Sequence, residues 1–558
     1  MGRTSTITAP YELASGKPYT IKMEYHPVKY GDYNIFNFNT PDTFSFARTY
    51  HYDNQHPNNP IRTTLLCDGF GRILQTKKDA EINGSEVSIV SGKIVYDPFG
   101  RTIMQYHPFT ENLNQDSIYN FYYDSGTETV TDYDILDRQK TVTIPTGDVT
   151  SFEYDFLSAQ SQVMMSTITT DANGNVTTVL KDGRGLQREI IDADSNITSF
   201  EYNAMGELTG SIDPEGHATD YEYDMLGQKI SRTHPDAGLD TMQYDRAGNM
   251  ISRQTQNLQN NNDQWIQYNY NYNQLNAIIY PENPENNVIY EYGAMGAPNN
   301  RAGKIVRQED ASGYQEFSYG ALGEITENIR TFVLPNEDET YTFAMNFEYD
   351  SWNRILNMTY PDGEVVNYHY NLGGLLKSMD GFKGYTNYNY IDSIQYNKFE
   401  AKTGIYYGNG TNATYDYDLL QRLEHLSSYT SGGEKMQDID YTFDGVNNIT
   451  QIVNGAGTLG NGLGGNYESN YTYDKLYRLT KADGYWNNGT DYNYSLGMEY
   501  YADGKIALKT QNAMQLIDGN QSSISYCNKY SYASGQPHAL SHVDDNGNVN
   551  QDFEWDAN

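Results

Sequence analysis

Two cysteines in 558 residues, Cys67 and Cys527, lie too far apart for a disulfide framework and are too few for a four-thiolate zinc site; the redox compartment stays open. Basic residues are scarce as well. The 37 Lys and Arg stand against 73 Asp and Glu, a formal charge of -36, so no basic stripe exists to displace counterions from nucleic acid or to hold an anionic membrane. No apolar run approaches the ~18 residues of a membrane-spanning helix, and Met1-Gly2-Arg3-Thr4-Ser5-Thr6 lacks the apolar stretch of a secretory signal. Gly2 with Ser5 and Thr6 superficially matches a myristoylation start; a fragment boundary is the expectation instead. Apolar residues make up only 37%, which at this charge would read as disorder.

Fifty-three tyrosines and an aromatic fraction of 14% contradict disorder. Tyrosine favours strands, buries a large ring and keeps a hydroxyl for water or a neighbour, so it suits a thin sheet wetted on one face. Length alone would suggest three to five domains of ~100 to 200 residues, a rule that repeats override. Repeats are present: Tyr133 and Tyr154, then Tyr202, Tyr223 and Tyr244, then Tyr349 and Tyr370, each follow one another at 21 residues.

Around these tyrosines runs Tyr-Asp-x-x-Gly: Tyr96-Asp97-Pro98-Phe99-Gly100-Arg101, Tyr223-Asp224-Met225-Leu226-Gly227-Gln228 and Tyr244-Asp245-Arg246-Ala247-Gly248-Asn249. Looser copies start at Tyr133-Asp134, Tyr154-Asp155, Tyr202 with Gly206, Tyr349-Asp350 and Tyr473-Asp474. A second turn signal such as Asp213-Pro214-Glu215-Gly216 falls between copies. The Asp can bond the backbone two residues on and the Gly tolerates positive φ, so each period predicts a β-hairpin. The strands alternate with period two, which sets Tyr221 with Tyr223 and Tyr368 with Tyr370 on shared faces.

No helix-period stretch of convincing length appears. The expected fold is all-β, a long ribbon of antiparallel hairpins with room for roughly 50 strands, which must curl because flat open sheets of that size twist and expose edges. Residues 1–95 are less regular and are expected to form a lead-in segment continuous with the sheet, with 96–558 as the repeat region, incomplete at its C-terminal end. Asn257 to Asp263 and Gly455 to Gly465 read as long polar hairpin loops.

The Tyr-Asp-x-x-Gly-Arg repeat resembles the YD or RHS (rearrangement hotspot) repeat and covers most of the chain. The N-terminal third, with Arg48-Thr49-Tyr50-His51-Tyr52-Asp53 and Asp68-Gly69-Phe70-Gly71-Arg72, is most similar to the B component of Tc insecticidal toxin complexes. The resemblance implies a spiralling β-ribbon forming part of a hollow shell that encloses a C-terminal toxin or effector segment. The implied partners are the remaining shell, its cargo and a pore or injection component, in a secreted complex, with no enzymatic activity, cofactor or metal. The alternative is an extracellular adhesion or carbohydrate-binding module using exposed tyrosines with Trp265 or Trp486.

Other constellations favour turns over chemistry. Asp97-Pro98-Phe99-Gly100 looks like the Asp-Pro-x-Gly signature of the family's aspartyl protease but sits inside an ordinary repeat. His538 and His542 are four apart but lack a third ligand, and His51 and His56 read as turn residues. Asp192-Ala193-Asp194-Ser195-Asn196 echoes a calcium loop without its glycine, Asp544-Asp545-Asn546-Gly547 reads as a tight turn, and Gly462-Leu463-Gly464-Gly465 lacks the Lys of a phosphate cradle.

Overall fold

A computed structural model describes residues 3–27, 44–159, 162–334, 339–460, 462, 464–487, 491–517, 520–533, 535–545 and 550–556. Tyr30 to Phe38 and the Asn546-Gly547 turn lie outside the described residues. The fold is all-β, with 45 strands among the described residues, broken by two five-residue helices and one short 3-10 turn. No described helix is long and apolar enough to cross a membrane. The chain forms two compact units: Met1–Asp148 with Tyr292–Gln308 and Ser312–Met436, and Val149–Glu291 with Glu309–Ala311 and Gln437–Asn558.

In the first unit the N-terminal strands pair as a sheet of their own, in the order Thr6–Ile7, Ile21–His26, Ser45–His51, Ile61–Cys67, Ile73–Ile82, Ser85–Val90 and Phe109–Glu111. The repeat ribbon starts at Ile94–Tyr96, so Phe109–Glu111 returns to the N-terminal sheet after the ribbon has begun. This sheet buries charge. The Lys77 side chain, 1% exposed, bonds Glu111 Oε1 at 2.6 Å and the carbonyls of Gln115 and Ile118, while Arg48 meets Asp116 at 2.5 Å. Satisfied on every donor, Lys77 fastens the 109–118 segment to the sheet.

The same sheet docks on a repeat hairpin of its unit. Arg354 Nη2 reaches Asp53 Oδ1 at 2.9 Å, where the Asp53 side chain is fully buried. Trp352 Nε1 donates to the Tyr52 carbonyl and stacks on His51, ring centroids 3.7 Å apart. Gln55 behaves like a short strand: its Nε2 donates to the Tyr368 carbonyl at 2.7 Å and its Oε1 accepts from the Tyr370 N–H at 2.6 Å. His51 therefore ends a strand instead of sitting in a turn, and His56 closes on Asp53.

The repeat regions of both units are antiparallel ladders of short strands. Ile197–Tyr202, Leu208–Ile212 and Ala218–Tyr223 pair in sequence, two strands to 21 residues. Residues alternate between exposed and half-buried, as along Ala218–Tyr223, and deep cores are small. One in the first unit centres on Ile394, Tyr396 and Ile405. A one-residue bulge beside many of the corners that follow a tyrosine, for example between Glu222 and Tyr223 and between Glu499 and Tyr500, increases the local twist. Asn257 to Asp263 is not simply a loop. Gln256–Asn260 is a helical turn seated by Leu258, the one apolar side chain there, which is buried.

Asp53→Ala is expected to lower the stability of the first unit by about 1–3 kcal/mol in denaturant unfolding, because Arg354, still clamped to Asp350, loses its second, fully buried carboxylate. Burial holds the His51 pKa down at about 4 against an ordinary 6.5, the nearby carboxylates of Asp350 and Glu12 only partly opposing it. The unfolded chain takes up this proton first, so stability from the site is complete above pH 6.5 and is lost as pH falls toward 4. The unfolding midpoint of this unit is expected to drop across that window, with His51→Phe flattening the pH dependence.

Candidate functional site

The recurring corner is a carboxylate clamp. In Asp224–Gln228, Asp224 Oδ1 accepts from the N–H of Leu226 at 2.8 Å and of Gln228 at 2.9 Å, and the Gly227 N–H closes the turn on the Asp224 carbonyl. Gly227 stands at φ 79°, a left-handed conformation that costs ordinary residues about 1 kcal/mol or more. Asp97 and Asp245 do the same with Gly100 and Gly248, and Asn203 substitutes its amide oxygen beside Gly206. At other corners Asp137, Asn353 and Tyr477 take the glycine's place at positive φ.

The residue four after the Asp finishes the clamp. Arg101, Arg354, Arg422 and Arg478 each donate Nε to the second oxygen of their Asp at 2.6 to 2.7 Å, as Arg138 does to Asp134. Burial alone would raise the pKa of Asp97 and Asp134, but the N–H and guanidinium of the following Arg outweigh it and hold both below the usual carboxylate range.

Each clamp is also tied to the next repeat. The hydroxyls of Tyr96, Tyr133, Tyr244, Tyr370 and Tyr473 donate to the carbonyls of Ile73, Thr102, Lys229, Ile355 and Ile449, the first residue after an earlier corner in every case. Tyr500 does so to Leu479 at 2.8 Å. The Arg of the earlier corner lies over that tyrosine's ring, Arg354 over Tyr370 at 4.5 Å and Arg478 over Tyr500 at 4.8 Å, within cation–π range. Burial raises the Tyr244, Tyr473 and Tyr500 hydroxyls and pushes Tyr396 up to about 12, so these groups donate throughout the physiological range.

The sequence-selected residues fall mainly on such corners: Tyr202 and Tyr223 precede theirs, and Tyr349-Asp350 and Tyr473-Asp474 carry full clamps. Tyr154 and Asp155 do not. They lie mid-strand in Val149–Ala159, opposite Thr167 and Ser166. Asp97 of the protease-like string is an ordinary clamp, and Asp192 is another, with Ser195 at φ 67° and no calcium-loop geometry.

His538 and His542 part company. His542 meets Asp552 at 2.7 Å, whereas His538 gathers with residues some 300 positions earlier, within the second unit. Its Nδ1 lies 2.6 Å from Asp236 Oδ2 and its Nε2 2.9 Å from Asp213 Oδ2, an oxygen also 2.8 Å from His217 Nδ1. Asp503, with a side chain 3% exposed, and Lys505 complete the group. Burial resists it, yet the N–H of His217 and the two imidazoles bring Asp213 down to about 2, while Asp213 and Asp236 raise His538. In sequence, His217 stands where other corners carry Arg; the approach of His538 depends on which turns adjoin, and no local pattern reports it.

The RHS Repeat family matches residues 182–218, a stretch of four consecutive corners at Asp182, Asp192, Asn203 and Asp213. Residues 182–218 thus match an RHS repeat. The chain is 31% identical over 144 residues to the toxin subunit YenC1 of Yersinia entomophaga, a match over 24% of this chain and 15% of that one. Solved structures share its fold at low identity. TcdB2-TccC3 without its hypervariable C-terminal region has a TM-score of 0.74 at 17% identity over 99% of this chain, and the Tc holotoxin pore of Photorhabdus luminescens one of 0.69 at 18% over 91%. The chain spans about a third of each, 34% and 30%.

Tyr500→Phe keeps the ring and deletes the hydroxyl bonded to Leu479; a loss of about 1 kcal/mol is expected, read as faster amide exchange in Leu479–Asn487. Arg478→Lys is expected to cost at least as much, since an ammonium cannot hold Asp474, the Tyr501 carbonyl and the Tyr500 ring together.

Proposed function

We propose that this chain is part of the wall of a hollow β-shell in a bacterial Tc- or RHS-type toxin or effector, and that the shell sequesters a C-terminal toxic segment until delivery. The observation that carries the reading is the thinness of the fold. At 63.4 kDa the chain exposes 31404 Å². A compact protein of that mass would expose about 20,000 Å², and even two separate compact halves only about 24,000 Å². A ribbon one hairpin thick and accessible on both faces accounts for the excess. Such a wall excludes proteases by its continuous hydrogen bonding and keeps an enclosed segment from outside partners.

In this reading residues 1–95 lead into the wall and 96–558 build it, and the repeat tyrosines and carboxylates act structurally, with no catalysis. The partners are the remaining shell, its cargo and a pore or injection component, in a complex exported from the bacterium. Cryo-electron microscopy of the full-length product is expected to show a hollow particle with density inside, with the cargo protected from added protease. A solid particle, or a cargo digested at the rate of the free polypeptide, would overturn the proposal.

One observation favours adhesion or carbohydrate binding as a second reading. An open cleft of about 760 Å³ in the second unit is lined by Gln267, Tyr268, Tyr270 and Tyr272, the last 92% exposed. Binding to a glycan array that is lost in Tyr272→Ala would favour this reading.

A further inference from the structure

We propose that Asp213, His217, Asp503 and His538 form a binding site for a divalent transition metal, with zinc as the fitting ion. One nitrogen or oxygen from each lies within 4.8 Å of all the others. Two imidazoles and two carboxylates are a tetrahedral zinc donor set, and calcium or magnesium would call for oxygens alone. Zinc bonds of ~2.0 Å put neighbouring ligand atoms roughly 3.3 Å apart, so the separations here close by small side-chain rotations.

Two further features point to an ion. Asp236 holds His538 Nδ1 at 2.6 Å and the His538 N–H at 2.8 Å, an arrangement in which a carboxylate fixes the ring and leaves Nε2 to face a metal. That Nε2 lies 2.9 Å from Asp213 and 3.8 Å from Asp503. Asp503 is the second feature. Its side chain is 97% removed from solvent, yet its Oδ2 accepts no hydrogen bond of proper geometry, with the Lys505 ammonium at 2.6 Å and the His538 ring at 3.8 Å as charge neighbours. Lys505 has alternatives in Glu215 at 2.9 Å and the Pro537 carbonyl at 2.8 Å, so a metal could take over Asp503 without stranding the ammonium. Asp213, Glu215, Asp236 and Asp503 against one lysine leave a negative surplus suited to a dication.

The ligands come from three corners of the second unit separated by nearly 300 residues: Asp213 with His217, Asp503, and the turn carrying His538. A metal here would staple non-consecutive hairpins of one unit, closing loops that the ladder leaves open. The inference rests on this geometry and not on the encapsulation reading.

The test uses the full chain, freed of any affinity tag and stripped with a chelator, titrated with zinc chloride by calorimetry and with cobalt chloride in a spectrophotometer. One zinc per chain is expected, at micromolar or tighter Kd, with a rise in the unfolding midpoint of the second unit and the intense visible bands of tetrahedral cobalt. His538→Gln is expected to weaken zinc at least 100-fold, and Asp236→Asn, which removes only the supporting carboxylate, by 10- to 100-fold. Circular dichroism matching the parent establishes that each variant is folded. Absence of zinc binding by the parent chain, binding unchanged in a folded His217→Gln/His538→Gln double variant, or octahedral cobalt spectra would each overturn the proposal.

Discussion

The carboxylate at each hairpin corner is the constraint on which the rest of the structure depends. A ribbon with so little core cannot fix its register by burying one face deeply, and a slip of one residue would turn every side chain to the wrong side. Register must therefore be set locally, at the turns. An Asp taking the N–H groups two and four residues on, with a left-handed residue between them, leaves the chain one way to reverse. Each such corner contributes only about 1 kcal/mol, the scale of a side-chain cap on exposed backbone N–H groups, so stability comes from their number.

The clamp also explains how the repeats cooperate. Arg354 closes its own corner through Asp350 and lies over the ring of Tyr370, which bonds back to Ile355 beside that same Arg. One corner thus positions the ring that secures the next strand. This nearest-neighbour coupling lets marginal hairpins support one another along the array. Where the N-terminal sheet joins a hairpin of its own unit, the means differ: buried pairs such as Asp53 with Arg354, and the Gln55 amide standing in for a strand. Removing one partner there leaves a charge in a dry place, whereas a ribbon corner can be rehydrated.

What the sequence revealed divides along the same line. The Tyr-Asp-x-x-Gly corners were legible because turn chemistry is local: Asp224 and Gly227 need only each other. The Arg that completes the clamp four residues after its Asp is equally local, whereas the target of each tyrosine hydroxyl was not legible, because it depends on which strand lies alongside. Tyr154-Asp155 fitted the spacing, yet the chain runs straight through it as strand. The helical turn at Gln256–Asn260 was hidden by polar composition, since one buried leucine suffices to seat it. The gathering of His538 with Asp213 and His217 is a product of topology across some 300 residues, beyond the reach of any motif.

Tyrosine, rather than phenylalanine, follows from the thinness of the ribbon. Its 53 copies against 19 phenylalanines are a choice between two rings of nearly equal packing value. A half-exposed Phe would leave its edge in water and offer an apolar patch to any passing chain, while a Tyr in the same place sends its hydroxyl to a carbonyl of an earlier strand. The hydroxyl thus does two jobs that a deep core would make unnecessary: it wets the outer edge of the ring and locks one repeat to the last. The net negative charge acts in the same direction, since similarly charged ribbons repel before their strand edges can pair.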